Sequence, residues 1–231
     1  VVLQTPVYFS FFPMIKNNYR EILKNELKFD GERYTMDFAD LEEKFAAGAE
    51  VLILCSPHNP VGRVWTTEEL EKLGELCFKY DVTVISDEIH SDLVLPGHDH
   101  TVFASLGEEF RENSVVCTSP SKTFNLPGLQ PGNIIIPDQK LRNSYQQEVK
   151  ANNLTHPNVF TLEAVKAAYK QGEPWLEELL DYLASNLDFL KRYLADNIPQ
   201  IKVIEPEGTY LVWLDFRSLE VNEEKLDQIL Q

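Results

Sequence analysis

Short apolar runs alternate with amphipathic patterns along most of this chain. The strand candidates are residues 1–4, 50–55, 83–86, 115–118 and 133–136, each four to six residues of mostly Val, Ile, Leu and Cys. Val51-Leu52-Ile53-Leu54 is continuous rather than alternating, as expected of a strand covered on both faces. Between the strands, apolar positions recur every three or four residues. Leu70, Leu73, Leu76 and Cys77 line one helical face, with Thr67 expected as its N-cap. Residues 41–45 and 140–150 are shorter helical candidates, and 157–169 predicts a helix ending near Gly172. Leu176, Leu179, Leu180, Leu183, Leu187, Leu190 and Leu194 mark the apolar face of a long helix over 174–195. The character then changes to two strands, 201–204 and 209–214, around Glu205-Pro206-Glu207-Gly208, and a last helix. The pattern predicts an α/β domain with a mostly parallel sheet over 1–173, a long interdomain helix over 174–195, and the start of a smaller α+β domain over 196–231. The chain opens on a strand-like run without an initiator Met and stops inside a helical pattern, so it reads as a piece of a longer polypeptide truncated at both ends.

Charge narrows the partners. With 21 basic and 37 acidic residues the formal net charge is −16, and there is no basic run, which argues against nucleic acid and anionic membranes. No apolar stretch reaches transmembrane length, and no signal peptide is evident. The three cysteines are far apart and form no C-x-x-C pair, a usage expected of the cytoplasm.

Candidate chemistry gathers where strands end. Lys122 follows the run Ser114–Cys117 in the polar turn Ser119-Pro120-Ser121-Lys122, from which its amine can reach a strand-end crevice and form a Schiff base with an aldehyde cofactor. Asp87 follows Val82–Ser86, where a carboxylate can keep a pyridine nitrogen protonated and so sharpen its role as an electron sink. Asn59, in the turn Asn59-Pro60-Val61-Gly62, can donate to a phenolic oxygen. Ser119 and Ser121 suit a phosphate, and Tyr8 can stack on a ring. Taken singly, each is a common turn, cap or core residue. Their order and shared strand-end placement point to pyridoxal 5′-phosphate (PLP). His98-x-His100 has the spacing of a metal clip but lacks a third ligand, so no metal is expected. Phosphate-loop, dinucleotide and hydrolase-elbow motifs are absent from the sequence.

These residues resemble the fold-type I PLP enzymes of the class I/II aminotransferase family, with motifs in order along almost the whole chain. The stretches 4–12, 86–93, 121–130 and 208–215 are similar to the MalY/PatB-type carbon–sulfur β-lyases. The resemblance implies an aspartate aminotransferase fold, a homodimer with active sites near the interface, and a sulfur amino-acid substrate such as cystathionine or a cysteine S-conjugate. By the same analogy Lys122 holds the cofactor as an aldimine and then removes the substrate's Cα proton. Loss of the β-thiolate ends in a thiol, pyruvate and ammonia. Tyr8 is implied in catalysis through substrate positioning. Two positions depart from the common pattern. His90 stands where many relatives have a cofactor-binding tyrosine, and Gln130 stands where many aminotransferases have a phosphate-binding arginine. The resemblance also places the glycine-containing phosphate turn before Val1 and the substrate-carboxylate arginine beyond Gln231. The nearest alternative is a class I/II aminotransferase, and the alternative of another class is a non-catalytic regulatory binding protein on the same fold.

Overall fold

The structure, a computed structural model, describes residues 1–219 and 221–230. Its centre is a six-stranded sheet in the order β2-β1-β5-β6-β7-β8. The strands are β1 (Val2–Thr5), β2 (Leu23–Glu26), β5 (Val51–Cys55), β6 (Thr83–Asp87), β7 (Ser114–Thr118) and β8 (Asn133–Ile135). Five of the six run parallel, and β8 returns antiparallel to β7. The five strands expected in this sheet from the sequence are all present, each within one residue at each end. The edge strand β2 was missed because Leu23-Lys24-Asn25-Glu26 has one apolar residue followed by three polar ones, on an edge that needs little apolar cover. A small hairpin, β3 (Lys28–Phe29) and β4 (Tyr34–Thr35), follows it.

Period-two alternation divides the sheet into two faces. On one, Val2, Leu52, Leu54 and Val84 pack against α2 (Phe38–Ala46) through Leu41 and Phe45, and against α3 (Thr67–Lys79) through Leu70, Leu73 and Cys77. Trp65 and Phe103 complete this core. On the other, Leu3, Ile53 and Cys55 pack against Phe11 and Ile15 of α1 (Phe11–Asn17), a helix the sequence reading left out. The α3 N-cap is Thr66 rather than the expected Thr67. Its side chain accepts from Glu69 N–H while Glu69 reaches back to Thr66 N–H, which closes a capping box.

After β6 come the short α4 (Glu108–Glu112), then β7, then the single turn α5 (Pro120–Thr123). The helices α6 (Gln139–Ala151), α7 (Thr161–Gln171) and α8 (Glu173–Asn197) follow. α7 begins four residues later than the pattern suggested. α8 buries Leu187 and Leu194, so the predicted leucine face is the inward one. Gly172 is both the C-cap of α7 and the N-cap of α8. A Cβ there would lie 2.4 Å from Phe124 Cε1 and 2.4 Å from Ala168 O, so the corner closes only on glycine. The final elements are β9 (Lys202–Ile204), antiparallel β10 (Trp213–Asp215) and α9 (Glu223–Leu230). The second strand expected over 209–214 is shorter and later, because residues 205–212 run as a strap across the large sheet's loops rather than as a tight hairpin. Among the described residues no helix is long and apolar enough to cross a membrane.

Candidate functional site

Three strands deliver their last residues abreast. Cys55 of β5, Asp87 of β6 and Cys117 of β7 are register partners, so their side chains share one face at the carboxyl edge of the sheet. Their neighbours Ser86 and Glu88 point to the opposite, helix-covered face. Ser86 Oγ donates to Glu88 Oε1 at 2.8 Å, Phe103 N–H donates to the same oxygen at 3.0 Å, and His100 Nε2 lies 3.0 Å from Glu88 Oε2. This buried polar cluster accounts for His100, which the sequence offered as half of a metal clip. His98 stays exposed.

Asp87 is the electrostatic centre of the edge. Burial pushes its carboxyl up to about 6, the neighbouring Glu88 charge adds to the rise, and the Lys122 ammonium and the Ile89 N–H, 3.3 Å away, oppose it. That N–H is the carboxylate's one hydrogen-bond donor among the described residues. A largely buried acid with a single long hydrogen bond is unsatisfied until a cationic donor faces it. The same carboxylate acts on the thiols beside it. Burial and then the Asp87 charge raise Cys117 to about 11, and burial raises Cys55 as well. His90 sits nearby with 2 % exposure. Burial, aided by the Lys122 charge, lowers its imidazole to about 4, so it is neutral near pH 7. Its Nδ1 is buried with no partner, and its ring packs 5.4 Å from that of Tyr210.

The Asn59 turn is held from both sides. Asn59 N–H donates to Cys55 Sγ at 3.4 Å, Gly62 N–H donates to His58 O at 2.8 Å, and His58 N–H donates to Arg63 O at 2.7 Å. His58 Nε2 lies 2.8 Å from Pro6 O, which ties the Asn59 turn to the one bearing Tyr8. Tyr8 is half-exposed and stands edge-on to Phe11 at 5.5 Å. Across the crevice, Ser119 is the N-cap of α5. Its Oγ accepts Ser121 N–H at 3.1 Å, donates to Pro131 O at 2.6 Å, and lies 2.8 Å from Ser121 Oγ. Ser119 is therefore engaged in shaping the turn, while Ser121 and Lys122 are half-exposed on it. Thr123 Oγ1 donates to Asp92 Oδ2 at 2.8 Å, joining the Lys122 turn to the segment after His90.

The structure thus draws Asp87, His90 and Lys122 into one electrostatic neighbourhood, with the Asn59 and Tyr8 turns joined through His58. The sequence reading missed Tyr210 as a neighbour of His90, Arg63 and Glu207 beneath the Asn59 turn, and the Ser86–Glu88–His100 cluster. The only signals for these were the alternate spacing of Ser86 and Glu88 and the noticed His98-x-His100.

Comparison with known proteins agrees with this geometry. The chain is 47% identical over 229 residues to the cystathionine beta-lyase PatB of Bacillus subtilis, covering 99% of the chain and 59% of PatB. It is 36% identical to Protein MalY of Escherichia coli, covering 100% of the chain and 59% of MalY. The crystal structure of cystalysin from Treponema denticola, which contains a PLP cofactor, superposes with a TM-score of 0.94 at 37% identity, covering 99% of this chain and 58% of cystalysin. The chain therefore spans about three fifths of each of these relatives. The family model for aminotransferase class I and II matches residues 1–231, and the chain belongs to that family, in the branch that includes PatB and MalY.

Proposed function

We propose that these residues form the greater part of the cofactor-binding domain of a PLP-dependent carbon–sulfur β-lyase that cleaves cystathionine or cysteine S-conjugates to a thiol, pyruvate and ammonia. The observation that carries the reading is Asp87: a largely buried carboxylate, short of donors, at the carboxyl edge of a parallel sheet and within the field of Lys122. Its chemistry fits the protonated nitrogen of a pyridine ring. When bound, PLP supplies an electron sink for the pair left on the substrate's Cα.

Each residue then has a definite task. Asp87 would pair with the ring nitrogen. Asn59 would donate to the phenolic oxygen, His90 would add to the cofactor's binding site, and Tyr8 would stack on the ring and orient the substrate. Ser121 binds the phosphate, with Ser119 shaping the turn that presents it and adding its own contact. Lys122 would hold the cofactor's aldehyde through its Nζ, and the same amine, when free, would accept the substrate's Cα proton as general base. The domain division follows the chain. Residues before α8 build the cofactor domain, α8 spans between domains, and the segment after it begins a smaller domain. A homodimer in the cytoplasm completes the reading.

Titration with PLP followed over the visible range, then borohydride reduction and peptide mapping, tests the site. The expected result is a visible band trapped on the peptide containing Lys122, and its absence in Lys122→Ala. An unchanged band in that variant would remove Lys122 from the role. Product assay on a cysteine S-conjugate then tests the reaction. Pyruvate with free thiol supports the lyase. A keto acid that forms only with an added acceptor points to a transaminase, and no turnover points to a binding role.

A further inference from the structure

Residues 205–212 leave β9 and cross the loops of the large sheet before β10 begins. Glu207 sits at the crossing. Its Oε2 accepts Arg63 Nε–H at 2.9 Å and Val64 N–H at 2.8 Å, and its Oε1 pairs with Arg33 Nη2 at 2.8 Å. Arg63 is 1 % exposed and fully engaged. Its Nη2 binds Glu69 Oε2 at 2.8 Å, its Nη1 donates to Tyr34 O, and its guanidinium lies 4.6 Å from the Trp65 ring centre. The backbone repeats the connection. Glu207 and Gly208 N–H groups both donate to Gly62 O, at 2.7 and 3.0 Å, while Leu95 N–H donates to Glu207 O and Thr209 N–H to Leu93 O, at 2.9 and 2.7 Å. Gly62, at φ +73°, touches the strap so closely that a Cβ would lie 2.7 Å from Pro206 Cβ.

The strap therefore grips two segments that leave the carboxyl ends of the neighbouring strands β5 and β6, and it ties them again beyond the last sheet bond, Ser56 N–H to Asp87 O. One is the Asn59 turn, which ends on Gly62 and Arg63. The other runs from His90 to Leu95, and the strap continues directly into Tyr210, whose ring rests on His90. We infer that Arg63 and Glu207 are positioning residues: their buried ion pair fixes the Asn59 side and the His90 side of the crevice relative to one another. This rests on the proposed PLP site. A buried ion pair is a poor source of net stability, since desolvation offsets most of the attraction, but a guanidinium fork admits few geometries where apolar packing would tolerate sliding. Arg63 meets a different segment with each nitrogen, which is the arrangement that sets a position rather than merely filling space.

The test compares the wild-type chain with Glu207→Gln, an isosteric change that removes the charge. Three quantities are read: the PLP Kd, the position of the visible band at saturating PLP, and amide hydrogen exchange of Leu95, Gly208 and Thr209 against that of β5, β6 and β7. The expected result is a Kd raised about tenfold or more, because small misplacements of binding groups are costly. The saturated band should shift as Asn59 moves on the phenolic oxygen, and the strap amides should exchange faster while the sheet amides stay as in wild type. A general loss of stability would lower the bound fraction without shifting the saturated band. Faster strap exchange with unchanged Kd and band overturns the positioning role, and so does unchanged exchange with unchanged Kd. If Glu207→Gln does not fold, Glu207→Asp keeps the charge, shortens its reach and is held to the same outcomes. Failure of the wild-type chain itself to bind PLP overturns the cofactor reading and the positioning role together, and is recognised before any substitution is made.

Discussion

Asp87 shows how much one burial decides. Its carboxyl is held up at about 6, so it carries a proton below that pH and offers no charge to a cationic ring nitrogen. PLP affinity is expected to fall as pH is lowered through about 6. In Asp87→Asn that step should be missing, and affinity near neutrality should be lower by about tenfold or more, since a hydrogen bond between charged partners is worth about 1.5–3 kcal/mol. PLP titrations from pH 5 to 8 on both proteins check this, and a pH step that persists in the variant assigns it to another group. The position of Asp87 was legible in the sequence because an apolar run followed by an acid marks a strand end. Its companions were not. Glu88 and His100 meet through a loop closure, and Arg63 and Glu207 meet across a separation of 144 residues, which local pattern cannot report.

At the scale of elements, the corner between α7 and α8 bears on Lys122. Phe124, two residues past the lysine, packs against Tyr169 and Trp175 with ring centres 6.0 and 5.9 Å apart, and Gly172 leaves it room. Gly172→Ala drives a methyl into Phe124 and the Ala168 carbonyl together. It is expected to destabilise the chain by about 1–3 kcal/mol, as overpacking does, and to weaken the visible band on Lys122 at a fixed PLP concentration. Urea unfolding and the absorbance titration read the two effects separately. Strands were legible wherever both faces are covered, as in Val51–Cys55, and α8 was legible from its leucine spacing. The edge strand Leu23–Glu26 and the helix Phe11–Asn17 were not. The first is polar because it sits at the margin. The second packs only Phe11 and Ile15 in two turns, too few positions to establish a period.

Over the whole molecule, buried imidazoles make stability depend on acid. His58 is fully buried and lowered to about 4, mainly by desolvation, and His90 is lowered to a similar value. A histidine lowered on folding contributes stability above its unfolded value near 6.5, and that contribution is lost as pH falls through the folded value. For His58 the loss amounts to about 3 kcal/mol. Asp87, raised on folding, works in the opposite direction between about 6 and 4 and offsets part of this loss. His58→Gln is expected to be less stable than wild type at pH 7, through its altered bond to Pro6 O, yet to lose less between pH 7 and pH 4.5. Urea midpoints at the two pH values measure the difference, and an equal drop in both proteins would place the sensitivity elsewhere.

The thiols beside Asp87 have a chemical consequence of their own. An aldehyde cofactor is an electrophile, and a thiolate within reach would compete with the lysine for it and divert the site into an unproductive adduct. With Cys117 raised to about 11, its reactive form is only about one part in ten thousand near pH 7, and Cys55 is further suppressed. Burial, and then the charge of the carboxylate proposed to pair with the ring nitrogen, quiets the two nucleophiles at its flanks. Sulfur can line the floor of a carbonyl-handling crevice there without entering its chemistry.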